Sequence, residues 1–247
     1  MNLVLSLFPG IGLLDHAFEC EGFTIVRGPD VLWGGCIKTF HPPAGRFDGI
    51  IGGPPCQAFS ALKRLNPHAG ERFGNLIPEF ERCCSEAQPE WFLMEMVPHG
   101  PVPQVDGYSV RGAVFNNRWF GEAQERTRRF SFGTRNGRPL LPEIPVFESQ
   151  DYVQAVTGSA RRVPVKLNAS GKIKRTYTED GKRHGPNNGP RMTVGDMLAT
   201  QGFPYDMLDD CPLTESGKRK AIGNGVPLAM GRAMARAVRE AIESTLT

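Results

Sequence analysis

"NLVLSLFPGIGLLDHAFECEGF", residues 2–23, begins with a short apolar run, continues through a glycine turn and ends in a segment with helical spacing. The run at 2–8 is rich in Leu and Val, which favours a buried strand. The apolar residues of the later segment share one side of a helix: Leu13, Leu14, Ala17 and Phe18. A strand, a glycine turn and a helix in this order predict the first unit of an α/β sheet.

Similar units recur along the chain. Further strands are predicted at 23–28, 47–53, 90–97 and 128–135, and helices at 78–88 and from Pro227 onward. The predicted fold class is therefore α/β, an open and mostly parallel sheet flanked by helices. In such a sheet the loops at the carboxyl ends of the strands carry the functional groups.

Composition narrows the function classes. The chain has 247 residues, is 40% hydrophobic and 22% charged, and carries a formal net charge of +3, which permits a nucleic-acid partner without requiring one. It contains no apolar run of membrane-spanning length, and its first residues lack a basic leader region, so we expect a cytoplasmic protein without a membrane partner. The six cysteines form no Cys-x-x-Cys pair and the five histidines are scattered, which predicts free thiols and no metal site.

The amino-acid composition changes between about 139 and 190, where the chain is polar and rich in Gly, Pro and Asn. Over 151–190 eight Lys and Arg stand against three acids. Two interpretations stay open: a solvated loop, or a small lobe that contacts a phosphate backbone. The side chains that the second interpretation assigns to DNA are Arg161, Arg162, Lys172, Lys174, Arg175, Lys182 and Arg183.

"GGPPCQAFS", residues 52–60, places one cysteine after a stiff turn. Two prolines fix the backbone and two glycines allow close packing, so the turn can hold the Cys56 thiol towards a substrate. A nucleophilic thiol needs nearby cations or proton acceptors. "QERTRR" at 124–129 offers guanidinium groups and Glu95 offers an acid, although spacing alone does not bring them together. The alternative is a structural thiol buried in a tight turn.

Six motifs, taken in chain order, resemble those of the DNA cytosine-5 methyltransferases. They are "LFPGIGLLDHAFECEGF", "FDGIIGGPPCQAFS", "FLMEMV", "QERTRRFSFGTR", "RMTVGDMLATQGFP" and "AIGNGVPLAMGRAMA", and they span most of the chain. The resemblance implies a Rossmann-like methyltransferase fold. It implies a catalytic and cofactor-binding domain at 1–138, a small target-recognition region at 139–190, and a return to the catalytic domain at 191–247.

The resemblance also implies roles for individual residues. Cys56 would attack C6 of a cytosine flipped out of double-stranded DNA, and Glu95 would hydrogen-bond N3 and the amino group of that base. Arg126 would lie near the base carbonyl oxygen, and Arg128 would support the site. Gln57, beside the nucleophile, would help to fill the gap that the flipped base leaves.

S-adenosylmethionine is the implied methyl donor, with S-adenosylhomocysteine as product. The positions that the resemblance assigns to the cofactor site are Phe8, Gly10, Gly12, Leu13, Asp30, Trp33, Ile37, Pro55, Asn224 and Val226. Among them, Asp30 substitutes for the family's ribose-binding glutamate, which has no clean match in this sequence. The short chain is similar to compact phage-encoded or orphan members. A monomer in the cytoplasm of a bacterial or phage-infected host cell is expected.

Three positions depart from the family pattern. Ser6 and Cys36 stand where the family has aspartates, and Met96 stands where it has an asparagine. These departures keep two alternatives open: a DNA-binding relative that no longer turns over, and an enzyme that uses a variant of the usual cofactor.

Overall fold

The computed structural model describes residues 2–55, 74–145, 153–158, 160, 176–177, 183–184 and 191–243. Its main feature is a six-stranded sheet in the order β2-β1-β3-β4-β7-β5. The strands are β1 (Leu3–Leu7), β2 (Thr24–Arg27), β3 (Gly49–Gly52), β4 (Trp91–Met96), β5 (Ser109–Asn116) and β7 (Thr127–Thr134). The helices are α1 (Leu13–Cys20), α2 (Ile77–Ala87), α3 (Val194–Thr200), α4 (Glu215–Asn224) and α5 (Leu228–Glu243).

The predicted fold class is confirmed. Strand β1 pairs in parallel with both β2 and β3, and β3 pairs in parallel with β4. Strand β7 runs in the direction opposite to the other five strands of this sheet, and it pairs antiparallel with β4 and β5. The carboxyl ends of β1, β3 and β4 therefore meet at one edge, and β7 begins at that same edge.

The side chains of β1 alternate between the two faces of the sheet. Val4 packs in one core cluster with residues of α1 and α5, while Leu5 and Leu7 pack in a second cluster with residues of α2. The alternation follows from the two-residue period of a strand, and both faces are apolar because helices cover both. This double burial explains why the strand reads as a continuous apolar run.

A third cluster joins α3 and α4 to the start of α1. It includes Leu13, Val156, Met197 and Ile222, all of them buried. Helix α3 begins at a capping box in which Thr193 and Asp196 bond each other's backbone N–H groups. Helix α4 ends at the Asn224 turn, from which α5 starts. This cluster therefore sets the position of the closing Gly-Asn-x-Val-Pro motif.

Most of the predicted recognition region lies outside the described residues. What is described are short pairings: β6 (Gln124–Glu125) with β8 (Val153–Gln154), and β9 (Thr176–Tyr177) with β10 (Arg183–His184). The seven basic candidates fall outside the description, except for the backbone of Arg183. The division into 1–138, 139–190 and 191–247 stays a prediction.

Among the described residues, no helix is long and apolar enough to cross a membrane. There too, no group of three or more His, Cys, Asp and Glu side chains is arranged to hold a metal ion.

Candidate active site

Glu95 and Arg128 form an ion pair at the carboxyl edge of the sheet. Glu95 is the fifth residue of β4 and lies opposite Phe130 of β7, so Arg128, two residues earlier on β7, falls beside it at the edge. The Arg128 Nε donates to Glu95 Oε1 at 2.7 Å. The side chains are only 15% and 12% exposed, so water screens this pair weakly.

Burial dominates the electrostatics of the Glu95 carboxyl. Removal from water raises the pKa of Glu95 above its ordinary value, while the positive charges of Arg128 and Arg126 act in the opposite direction. A carboxyl group with a raised pKa holds a proton at a pH where an exposed glutamate has lost it. It can therefore offer that proton to a ring nitrogen within hydrogen-bond reach.

The turn after β3 passes directly beside this carboxylate. A Cβ added to Gly53 would lie 3.0 Å from Glu95 Oε2, so close that the carboxylate would have to shift by a few tenths of an ångström. Glycine at this position thus lets the turn pass directly beside a functional side chain. Pro54 is buried and Pro55 half-buried, while Cys56 and Gln57 lie outside the residues that the structure describes.

The expectation for Arg126 is corrected. Its side chain is buried, at 2% exposure, and its guanidinium donates to the backbone oxygens of Val156, Gly223 and Gly225 at 3.0, 2.7 and 2.6 Å. A guanidinium that binds three carbonyl oxygens holds backbone segments together and is not presented to a substrate. Arg128, expected only to support the site, is instead the cation that faces Glu95.

A second group of predicted residues meets around Gly10. The Gly10 N–H donates to Asp30 Oδ2 at 2.9 Å, and the Trp33 indole N–H donates to the Gly10 oxygen at 2.7 Å. The other carboxylate oxygen of Asp30 accepts from the Leu32 N–H at 2.7 Å. The glycine turn after β1 is therefore fixed by two side chains that follow β2.

This turn leaves backbone accessible to a ligand. Phe8, Gly10 and Gly12 have positive φ angles of 56°, 57° and 78°, and a Cβ on Gly10 would meet nothing within 4 Å. The Trp33 ring is half-exposed beside it. An open backbone turn, a carboxylate and an accessible aromatic ring suit a ligand that combines a planar base with sugar hydroxyls, which is the chemistry of an adenosine group.

The remaining cofactor candidates divide by exposure. The side chains of Leu13, Ile37 and Val226 are buried in the three core clusters, so these positions have only backbone atoms to offer a ligand. Asn224, at the end of α4, is exposed. Their assignment to the cofactor stays a prediction.

Ser6 has a partner that the sequence analysis missed. Its hydroxyl donates to Asp15 Oδ1 at 2.5 Å, and the Arg27 Nε donates to Asp15 Oδ2 at 2.9 Å. Asp15 thus brings a carboxylate to the end of β1. The DNA cytosine-5 methyltransferases that the motifs resemble have an aspartate there, at the position of Ser6. The available signal was that Asp15 lies three residues before Phe18, on the apolar face of α1.

Local packing also accounts for Met96, whereas Cys36 stays unexplained. The Met96 side chain is 1% exposed within the second core cluster and fills the space that a side chain at Gly100 would need. Cys36 is exposed at the start of the short 3₁₀ turn Ile37–Thr39, where its thiol caps no backbone group. Nothing in the structure explains a cysteine at this position.

Comparisons with known proteins agree with the resemblance of the six sequence motifs to those of DNA cytosine-5 methyltransferases. The family model described as C-5 cytosine-specific DNA methylase matches residues 36–99. The chain is 26% identical to the type II methyltransferase M.NgoPII of Neisseria gonorrhoeae, over 97% of this chain and 96% of that protein. It is 32% identical to the type II methyltransferase M.MthTI of Methanothermobacter thermautotrophicus, over 59% of this chain.

The relatives differ in how much of their own length the chain covers. The match covers 53% of M.MthTI, and the chain likewise spans about half of further bacterial type II methyltransferases. Among solved structures, a DNMT2 mutant of Spodoptera frugiperda superposes with a TM-score of 0.66 at 14% identity, covering 97% of this chain and 100% of that one. That likeness bears on the fold alone.

Proposed function

We propose that the chain is a C-5 cytosine-specific DNA methylase, which transfers a methyl group from S-adenosylmethionine to C5 of a cytosine in double-stranded DNA. The observation that carries the proposal is the largely buried Glu95–Arg128 pair directly beside the Gly-Gly-Pro-Pro turn. A largely buried carboxyl and a guanidinium, next to the turn that leads to a thiol, suit addition to a pyrimidine ring.

The first step forms a bond between the Cys56 sulfur and C6 of the cytosine. The electron pair of the C5–C6 double bond moves towards C5 and into the ring as the thiolate adds. Glu95 holds a proton at N3 and thereby neutralises the charge that develops there. Arg128 orients the Glu95 carboxyl through its 2.7 Å contact, and its guanidinium is the cation available to the carbonyl oxygen of the base.

The second half of the reaction restores the ring. S-adenosylmethionine, when bound, supplies the methyl group that C5 takes up. Loss of the C5 proton to water then returns an electron pair to the C5–C6 bond, and the Cys56 thiolate leaves C6. N3 gives its proton back to Glu95, which restores the starting state of the site. Because C6 is shielded within stacked base pairs, we propose that the target base flips out of the duplex, at a cost of a few kcal/mol.

The turn at Gly10 is the proposed cofactor site. In this proposal Asp30 would bind ribose hydroxyls and Trp33 would stack on the adenine, and the positive-φ backbone at Phe8, Gly10 and Gly12 would let the ligand approach closely. The basic residues between 161 and 183 are proposed to contact DNA phosphates. A cytoplasmic location and a monomeric state stay predictions.

Bisulfite sequencing of DNA from cells that express the chain tests the proposal, since it detects 5-methylcytosine and reads the target sequence together. Tritium transfer from labelled S-adenosylmethionine to unmethylated plasmid provides the measurement in vitro. Bound DNA without methyl transfer would favour the DNA-binding relative and contradict the proposed activity.

Gly53→Ala is expected to lower the rate of methyl transfer by about 10- to 100-fold, because the new Cβ would displace the Glu95 carboxylate. Since the substitution lies at the sheet edge and outside the three core clusters, the melting temperature should change little. Single-turnover transfer and scanning calorimetry measure the two effects. An unchanged rate in a folded variant would mean that the position of Glu95 does not limit the reaction.

A further inference from the structure

We call residues 161–190 the basic segment. The residues that flank it are held together at one place on the catalytic part of the fold. The Met192 N–H donates to the Ala160 oxygen at 3.1 Å, so the chain before residue 161 and the chain after residue 190 lie side by side. Both ends pack on α4: Val156 and Met192 belong to the same buried cluster as Ile222. The residues that flank residues 161–190 on both sides are therefore fixed on α4.

Arg219 of α4 binds both ends at once. One guanidinium nitrogen donates to the Met192 oxygen and the other donates to the Ala160 oxygen at 3.2 Å. The residue is only 9% exposed. Burying a guanidinium costs free energy unless acceptors replace water, and a planar fork can serve two carbonyl oxygens in one fixed geometry. An apolar side chain would fill the same space without fixing the two ends.

The contact between α4 and the first end is close. A Cβ on Gly223 would lie 2.6 Å from the Gly158 N, so the two backbones touch without intervening side chains. One turn of helix separates Arg219 from Gly223. Arg126 adds a second link, since it binds Val156 on the segment side and Gly223 and Gly225 on the side of the closing turn.

We propose that Arg219 is a positioning residue for target recognition: it holds Ala160 and Met192, which flank the basic segment, on α4, and this attachment is needed for sequence selectivity. The inference rests on the proposed function. Within the described residues, the Arg219 guanidinium hydrogen-bonds to the two segment ends alone. Arg126 binds one end, at Val156, and the backbone on both sides of Asn224. Replacing Arg219 should therefore alter sequence selectivity alone, and replacing Arg126 should alter selectivity and cofactor affinity together.

The experiment compares the wild-type chain with Arg219→Met, Arg219→Lys and Arg126→Met. Arg236→Met is the matched control, because Arg236 is an exposed arginine of α5 that pairs with Glu21. Each protein methylates unmethylated plasmid, and bisulfite sequencing gives the ratio of methylation at the preferred sequence to that at sequences differing by one base pair. Calorimetry gives the affinity for S-adenosylhomocysteine and the melting temperature.

Arg219→Met should lower the selectivity ratio by about tenfold, the size expected when a charge-assisted hydrogen bond is lost, with unchanged S-adenosylhomocysteine affinity. Arg219→Lys should fall between, since a lysine keeps the charge but lacks the fork. A folded Arg219→Met variant with wild-type selectivity, or with selectivity and cofactor affinity reduced equally, would overturn the inference. A wild-type chain that neither binds nor methylates the plasmid would overturn the proposed function, and this inference with it.

Discussion

Glu95→Gln should reduce methyl transfer by at least about 100-fold while leaving S-adenosylhomocysteine affinity unchanged. Glutamine has nearly the same shape and can still accept from Arg128, but it cannot hand over a proton, and general acid catalysis contributes about 10²- to 10⁴-fold. The cofactor side at Gly10 and Trp33 uses no atom of Glu95. Single-turnover transfer of labelled methyl groups measures the loss, and Glu90→Gln, at an exposed position one residue before the same strand, is the matched control.

The same variant should change two pH profiles. Burial raises the pKa of Glu95, so the folded chain binds this proton more tightly than the unfolded chain does. The stabilisation from this group is complete below the unfolded pKa and is lost as pH rises through the folded pKa. The transfer rate should decline over the same rise, as the carboxyl loses the proton that N3 needs. Glu95→Gln should remove the contribution of this group to both slopes, and an unchanged rate profile in the variant would exclude Glu95 as the proton donor.

Three of the strands that the sequence predicted, β1, β3 and β4, are almost fully buried between the two helix layers, although β2 was also predicted and is largely exposed. Runs such as "NLVLSLF" and "EWFLMEMV" read as continuous apolar segments because both sides of β1 and β4 are buried. Strand β5 lacks this signal, since it lies at the sheet edge with most of its residues exposed. Helix α4 was not predicted, for a related reason. Its sequence "ESGKRKAIGN" is polar, and two of its three buried residues are Lys218 and Arg219.

The geometry of the candidate site was likewise predictable only in part. Parallel strands with adjacent carboxyl ends bring Glu95 and the turn after β3 together, so that neighbourhood was predictable. The roles of Arg126 and Arg128 were not, because both positions of the motif fall on the same face of a strand. Their separation depends on partners distant in sequence: Arg126 meets carbonyls 30 and 97 residues away, while the β4–β7 register places Arg128 at Glu95.

Cys56→Ala should abolish methyl transfer, the largest effect that we expect from any substitution. Glu95→Gln leaves a thiolate that can still add slowly to C6, whereas alanine forms no bond to C6, so C5 never gains the electron pair that accepts a methyl group. Tritium transfer to plasmid measures the loss.

A duplex that carries 5-fluorocytosine tests the same step independently. After methyl transfer its C5 bears fluorine in place of the departing proton, so Cys56 cannot be eliminated and the wild-type chain should remain covalently bound under denaturing conditions. Cys56→Ala should give no such complex. Cys20→Ala, an exposed thiol at the end of α1, should behave as wild type in both assays. Because the remaining steps all follow from the bond to C6, transfer or trapping that persists in Cys56→Ala would require a different nucleophile and would remove the reason for the stiff Gly-Gly-Pro-Pro turn beside Glu95.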